Sequence, residues 1–290
     1  MRDIKRRISS FKNMKQITKA MEMVSAAKLR RSQRQATEGR PFADKLQEVL
    51  VRLVESARGD SDAEIAHPLL EKREIKRTLY VAVTADRGLA GGYNANIIRR
   101  LATLLDEAKT EVGVVAIGRR GRDYLRKRGI VPVDEYVQMG DEIDYMEAKA
   151  IAGRLMQYFT SGQYDAIYLL YTQFVSAISH RPVVEQVLPI TAPTGSGEGG
   201  SAAREYIYEP SGDSVLNMLL PRYVETEVYR ALMEAKASEH AARMTAMRNA
   251  SDNAQELIES LTLSFNRARQ ASITKEISEI VGGAEALAAE

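Results

Sequence analysis

Cysteine is absent from the 290 residues. Its absence excludes disulfides, thiolate metal sites and a cysteine nucleophile. Histidine is scarce: His67, His180 and His240 stand far apart and none has a metal-ligand spacing. His240 falls in a helix seam and reads as a packed or hydrogen-bonded residue. No run of about 18 apolar residues exists, so no membrane-spanning helix is expected. The N-terminal MRDIKRRISSFKNMKQ lacks the apolar centre of a signal peptide. It is rich in Arg and Lys, as a transit peptide is, but runs straight into a periodic helix and reads as mature sequence. One further absence is local. From Arg222 to Val281, sixty residues, there is neither Gly nor Pro.

What that stretch does contain is a stripe: Met233, Ala237, His240, Met244, Met247, Ser251, Ala254, Ile258, Leu261, Phe265, Ala268 and Ser272. Spacings of three and four alternate, averaging about 3.5 residues, so the stripe stays on one face only if the helix winds around a partner. Fully helical, the stretch reaches ~90 Å at 1.5 Å per residue, and it is expected to protrude from an ordinary globule. The N-terminal segment supplies a partner. Ile4, Ile8, Phe11, Met14, Ile17, Met21 and Val24 recur at the same spacings and are expected to form its seam. Gly39 and Pro41 predict a kink or brief interruption, with helix resuming through Phe42, Leu46, Val49, Leu50 and Leu53 to about Ala57.

Between these arms the period changes. Thr78–Thr84, Val112–Ile117, Tyr136–Met139, Ala166–Tyr171 and Val183–Pro189 read as strands, the last an edge strand. Ala95–Ala108, Arg122–Arg128 and Asp144–Phe159 read as helices. The alternation predicts a small α/β domain with a largely parallel, Rossmann-like sheet. Long N- and C-terminal helices flank it and pair most simply as an antiparallel coiled coil. The expected divisions are 1–58 for the first helix, 75–192 for the α/β domain, 193–212 for a linker and 213–290 for the second helix. Within the linker, Thr191–Ala203 is rich in Gly, Ser and Thr. Asp213–Leu220 reads as a short amphipathic turn, with Pro221 at a helix start or kink.

The candidate chemistry is thin. Asp86-Arg-Gly-Leu-Ala-Gly-Gly-Tyr-Asn94 joins a strand to a helix, where many α/β proteins bind phosphate. It is neither GxGxxG nor GxxxxGK[ST] and lacks the Lys and hydroxyl of a phosphate loop. Gly88, Gly91 and Gly92 fit a tight turn with close packing, and Gly118 and Gly121 echo that geometry. Asp141, Glu142 and Asp144 precede a helix and suit its positive end. Nothing assembles a nucleophile, a base and an oxyanion donor. The net charge of +2 hides an asymmetry, since residues 1–40 carry twelve Lys/Arg against Asp3, Glu22 and Glu38. Lys28, Arg30, Arg31 and Arg34 concentrate that charge, yet no aromatic interleaves from Lys12 to Pro41 to stack bases. On these grounds the chain is a non-enzymatic structural or coupling element whose basic end meets an acidic partner. A basic scaffold for nucleic acid or an anionic membrane remains an alternative, and a nucleotide-binding enzyme ranks third.

Three segments carry a resemblance: KNMKQITKAMEMVSAAKLRRSQ, TADRGLAGGYNANI, and SEHAARMTAMRNASDNA with LTLSFNRARQASITKEISEIVGGAEAL. Together, and in this order along the full length, they resemble the γ subunits of bacterial F-type ATP synthases. The resemblance implies the central stalk of a rotary motor, one copy per complex, threading a ring of three α and three β subunits. It also implies contacts with the ε subunit and the membrane c-ring, no cofactor, no metal, no catalytic residue and no nucleic acid. The implied location is peripheral, at the cytoplasmic face of the plasma membrane. It assigns β-subunit contacts to Lys19, Met21 and Met23 and to Arg269, Gln270 and Thr274. The chloroplast members' redox insert needs two cysteines, so no thiol switch is expected. Gly282-Gly283 is expected to loosen the last turn.

Overall fold

A computed structural model describes residues 1–59, 67–176, 179–191 and 212–288. The element order is α1 (Arg2–Gly59), β1 (Arg77–Val83), α2 (Tyr93–Glu107), β2 (Glu111–Ile117), α3 (Arg119–Lys127), β3 (Asp134–Tyr136), α4 (Tyr145–Thr160), β4 (Ala166–Phe174), β5 (His180–Leu188) and α5 (Gly212–Ala288). Two compact units result. One comprises Met1–Ser25 with Arg243–Glu290, and the other Ala26–Ala242. Residues 193–203 of the expected linker lie outside the described residues.

The larger unit is built on one sheet in the order β3-β2-β1-β4-β5. β1 pairs in parallel with β2 and β4, β2 with β3, and β5 closes the edge antiparallel to β4. Alternate residues of β1 explain the layering. Leu79, Val81 and Val83 face a core shared with Ile151, Leu155 and Phe159 of α4, Leu46 and Leu50 of α1, and Leu220, Val224 and Val228 of α5. Ala82 faces the other side with Ile97 and Leu101 of α2 and Leu125 of α3. The sheet is thus covered on both faces, as its apolar strands require.

Three expectations change. α1 runs unbroken through Gly39 and Pro41. The missing N–H removes one intrahelical bond, while Leu46 and Leu50, buried just beyond, hold the chain in register. α5 begins at Gly212 and carries Pro221 inside it. The expected short turn and the long helix are therefore one element, and Leu216, Leu220 and Val224 bury its start on both sides of the proline. The helix continues past Gly282 to Ala288. The third strand is Asp134–Tyr136 rather than Tyr136–Met139, because Gly118 N–H takes the Tyr136 carbonyl and Gln138 turns to φ 63°.

Gly118 decides the geometry of the β2–α3 turn. Its φ is 89°, and a Cβ there would collide with the Thr84 carbonyl. We expect Gly118→Ala to cost about 3 kcal/mol or more, from strain and overlap together. Denaturant unfolding of the two chains measures it.

Candidate functional site

The carboxyl ends of β1 and β2 are where a ligand of a parallel sheet is sought. Here the loops are tied to one another. Asp86 Oδ1 accepts from the backbone N–H of Arg119 at 3.0 Å and of Gln138 at 3.0 Å. Asn94 Oδ1 accepts from Ala85 N–H at 2.9 Å, and its amide donates to the Arg87 carbonyl at 3.4 Å. Thr84 Oγ1 donates to the Ile117 carbonyl and accepts from Gly121 N–H. Gly88 leaves room for the Arg120 guanidinium, and Gly91 and Leu89 both hold positive φ. The glycines therefore serve a tight, packed turn, as their pattern suggested.

Helix α5 fills the crevice itself. Leu232, Ala235, Lys236 and Glu239 line it opposite Thr84, Asp86, Tyr93 and Gly118, leaving about 10 Å³. That is room for one water at most, and no nucleoside fits. Lys236 and Glu239, one turn apart on α5, pair with each other at 3.4 Å along its wall. Among the described residues no group of His, Cys, Asp or Glu could hold a metal ion, and no helix is long and apolar enough to cross a membrane.

The smaller unit is a helix pair. Lys15 Nζ donates to Gln255 Oε1 at 2.8 Å, and Arg248 Nε to Glu22 Oε1 at 3.1 Å. The α5 number falls as the α1 number rises, so the pair is antiparallel. The α5 stripe lies where its spacing puts it: Met247, Ser251, Ala254 and Ile258 are buried, and Leu261, Phe265, Ala268 and Ser272 half-buried.

The α1 seam departs from expectation. Ile4, Ile8 and Phe11 face inward, but Met14 (50% exposed), Ile17 (61%) and Val24 (53%) face out, and Met21 is half-buried. The buried row continues instead through Lys15, Thr18, Glu22 and Ser25 at the same alternation of four and three. These polar residues are tolerated because each is satisfied. Thr18 Oγ1 donates to the Met14 carbonyl and Ser25 Oγ to that of Met21, bonds that a helix makes for itself. Glu22 accepts from Lys19 at 2.9 Å and from Arg248. The Lys19 ammonium, and then Arg248, hold its carboxyl below the ordinary range against the opposing effect of burial. The missed signal was the unbroken spacing of Lys15, Thr18, Glu22 and Ser25 from Phe11, hidden by their polarity.

Of the expected contact residues, Lys19 and Met23 are exposed and Met21 half-buried on α1, while Arg269, Gln270 and Thr274 are exposed on α5. They are two groups. The register places Lys19 beside Ser251, about 27 Å along the helix from Arg269. Met23 is exposed on another side of the helix from Met14, Ile17 and Val24, which form an uncovered apolar strip. Ile273, Ile277 and Ile280 form another on α5.

The basic N-terminal charge is partly used within the chain. In the larger unit Lys28 pairs with Asp141 at 2.6 Å and Arg31 with Glu142 at 2.5 Å. Of the three acids expected at the start of α4, Asp144 alone caps it, accepting from Met146 N–H. Asp141 and Glu142 hold α1 instead.

The class this defines is architectural: a paired-helix element in the same chain as an α/β domain whose strand-end crevice is lined by the chain's own helix. The comparisons name the family. Residues 1–287 match the ATP synthase family. The chain is 51% identical to the ATP synthase gamma chain of Heliobacterium modesticaldum and 52% identical to that of Moorella thermoacetica, each alignment covering 99% of both chains. It overlays a central-stalk chain of the Tetrahymena thermophila mitochondrial ATP synthase with a TM-score of 0.59 at 29% identity, covering 81% of this chain and 99% of that one. A Euglena gracilis mitochondrial ATP synthase chain gives 0.67 at 19% identity, covering 99% and 94%, and bears on the fold alone. This chain belongs to the ATP synthase gamma-chain family.

Two outcomes are expected. In a double-mutant cycle, Glu22→Ala and Arg248→Ala should couple by about 0.5–1 kcal/mol, the scale of a partly exposed pair. Because the Glu22 carboxyl lies below its ordinary range, that coupling is complete above the unfolded glutamate pKa and disappears as pH falls through the lowered folded value. Unfolding at neutral and acid pH checks both statements. Second, calorimetry of the isolated chain with ATP should show no micromolar binding, since α5 occupies the crevice.

Proposed function

We propose that this chain is the central rotor shaft of an F-type ATP synthase. It couples rotation of a proton- or sodium-driven c-ring to ATP synthesis and hydrolysis on β subunits, and has no active site of its own. The observation that carries the reading is the antiparallel seam of Met1–Ser25 with Arg243 onward, which turns one apolar strip of each helix outward. A helix pair that needed only itself would bury Met14, Ile17 and Val24 and expose Lys15, Thr18 and Glu22. The reverse arrangement suits a shaft that is clasped from outside. The partners are a ring of three α and three β subunits, the ε subunit and the c-ring, with one copy of this chain per complex. The location is peripheral, at the cytoplasmic face of a bacterial plasma membrane.

Within that role Lys19, Met21 and Met23 form one β-subunit contact and Arg269, Gln270 and Thr274 another. The exposure of all but half-buried Met21, and the separation of the two groups, support two contacts at different heights on the shaft. The helical parts 1–58 and 213–290 carry torque, the α/β part 75–192 meets ε and the c-ring, and 193–212 links them. Continuous helix without Gly or Pro from 222 to 281 supports stiffness, since each interior Gly would cost about 1 kcal/mol.

The test is reconstitution. Mixed with α and β subunits, one copy should enter a complex with three of each and show ATPase activity. Arg269→Ala with Gln270→Ala should leave assembly and folding intact. It should lower coupled ATP synthesis by about tenfold, the equivalent of ~1.4 kcal/mol. Unchanged synthesis and hydrolysis in the assembled double variant would remove these residues from the contact.

A further inference from the structure

Arg230 of α5 is the centre of a charge cluster that the shaft role does not use. Its Nε and Nη2 both donate to Glu227 Oε2, at 3.1 and 2.6 Å. Nη2 also reaches both oxygens of Glu185 on β5, at 2.8 and 2.9 Å. Nη1 reaches Glu234 Oε1 at 3.2 Å and the Tyr171 hydroxyl on β4 at 3.3 Å. That hydroxyl donates in turn to Glu185 Oε2 at 2.8 Å. Tyr223, half-buried, and the Phe174 backbone N–H are the other groups that face the cluster.

Three carboxylates therefore share one guanidinium. Fully ionised, the cluster would carry two uncompensated negative charges. Side chains of Glu227 and Glu234 are each only 16% exposed, so water screens them poorly. The three acids are not equal. Glu185 is the most exposed at 41% and has donors on both oxygens. Glu227 takes two donors from Arg230. Glu234 has one long bond to Oε1 and the Phe174 backbone N–H nearby, which is the smallest of the influences favouring its anion, while its Oε2 is shut off from solvent with no hydrogen-bond partner among the described residues. A buried charged oxygen without a donor costs far more than a neutral one.

We propose that Glu234 keeps its proton in the folded chain, and that this proton closes a clasp between α5 and the β4–β5 pair. With Glu234 neutral, Arg230 balances Glu227 and leaves Glu185 at the wetter rim. Ionised Glu234 competes for the same guanidinium and repels Glu227 and Glu185, so the edge strand β5 loses its hold on the helix. Burial pushes the Glu234 carboxyl up, with Arg230 opposing it. The same holds for Glu227, but its paired oxygen keeps that group the better anion. For a carboxyl raised on folding, the clasp's stability is fully present below the unfolded glutamate pKa and is lost as pH rises through the folded value.

The experiment uses the full-length chain. Carboxyl carbon shifts, assigned with Glu234→Gln, should show Glu234 titrating above the ordinary glutamate value of about 4.3. Hydrogen-exchange protection of residues 180–188, corrected for intrinsic rates, should fall as pH rises from the ordinary glutamate value to that midpoint, approaching tenfold per unit for one proton, and level off above it. Glu234→Gln should abolish that fall, and Glu227→Gln should leave it in place. A Glu234 midpoint at or below the ordinary value overturns the proposal. So does a fall that survives Glu234→Gln, or one that only Glu227→Gln abolishes. The carboxyl titration of the unsubstituted chain decides the matter even if a variant fails to fold.

Discussion

The continuous burial of one face of α5 is the constraint on which the rest depends. The same helix supplies Leu216, Leu220, Val224 and Val228 to the core beneath the sheet, Leu232 and Ala235 to the strand ends, and Met247, Ser251, Ala254 and Ile258 to the seam with α1. A helix can meet such different partners only if its side chains change size along its length while keeping their spacing. They do so: the positions named under the sheet are all large aliphatics, whereas Ala235, Ser251 and Ala254 alternate with Leu232, Met247 and Ile258 beyond it.

Occupation of the strand ends by α5 also bears on the α/β domain. A doubly wound sheet offers a ligand crevice at its carboxyl edge, and here the chain's own helix takes the place of a ligand. The loops that would hold phosphate direct their donors to Asp86 and Asn94 instead. Likeness of sheet order to nucleotide-binding domains carries no implication of activity.

Much of this was legible in the sequence, for identifiable reasons. The α5 stripe could be read residue by residue because its positions are apolar or small and its neighbours polar. Buried strands such as Ala166–Tyr171 stood out because both faces are covered. The α1 seam was not legible beyond Phe11. There Thr18, Glu22 and Ser25 take buried positions while Met14, Ile17 and Val24 lie outside, so an apolarity rule selects the wrong face. Neither proline interrupts its helix, for a related reason. Pro41 and Pro221 each remove one bond, but long helices pinned by flanking core residues absorb that loss. Asp141 and Glu142 were read locally, as charges for the next helix, and their long-range partners Lys28 and Arg31 had no local signature. The two contact groups came from resemblance alone, because exposed residues leave no periodic trace.

The inverted α1 seam bears on how a shaft can work. A seam of large apolar residues would make the pair self-sufficient and leave a polar outside, with nothing for surrounding subunits to grip except charges. Charges grip unevenly, since a single buried pair at one orientation has no equal at the next. An apolar strip interacts through area, without direction, so its energy changes gradually as the helix pair turns past successive similar surfaces. The polar seam costs some pairing strength, and Glu22 limits that cost by taking cations from both helices. The arrangement therefore trades strength within the pair for a smooth surface around it, and that trade makes sense only for helices that others must hold.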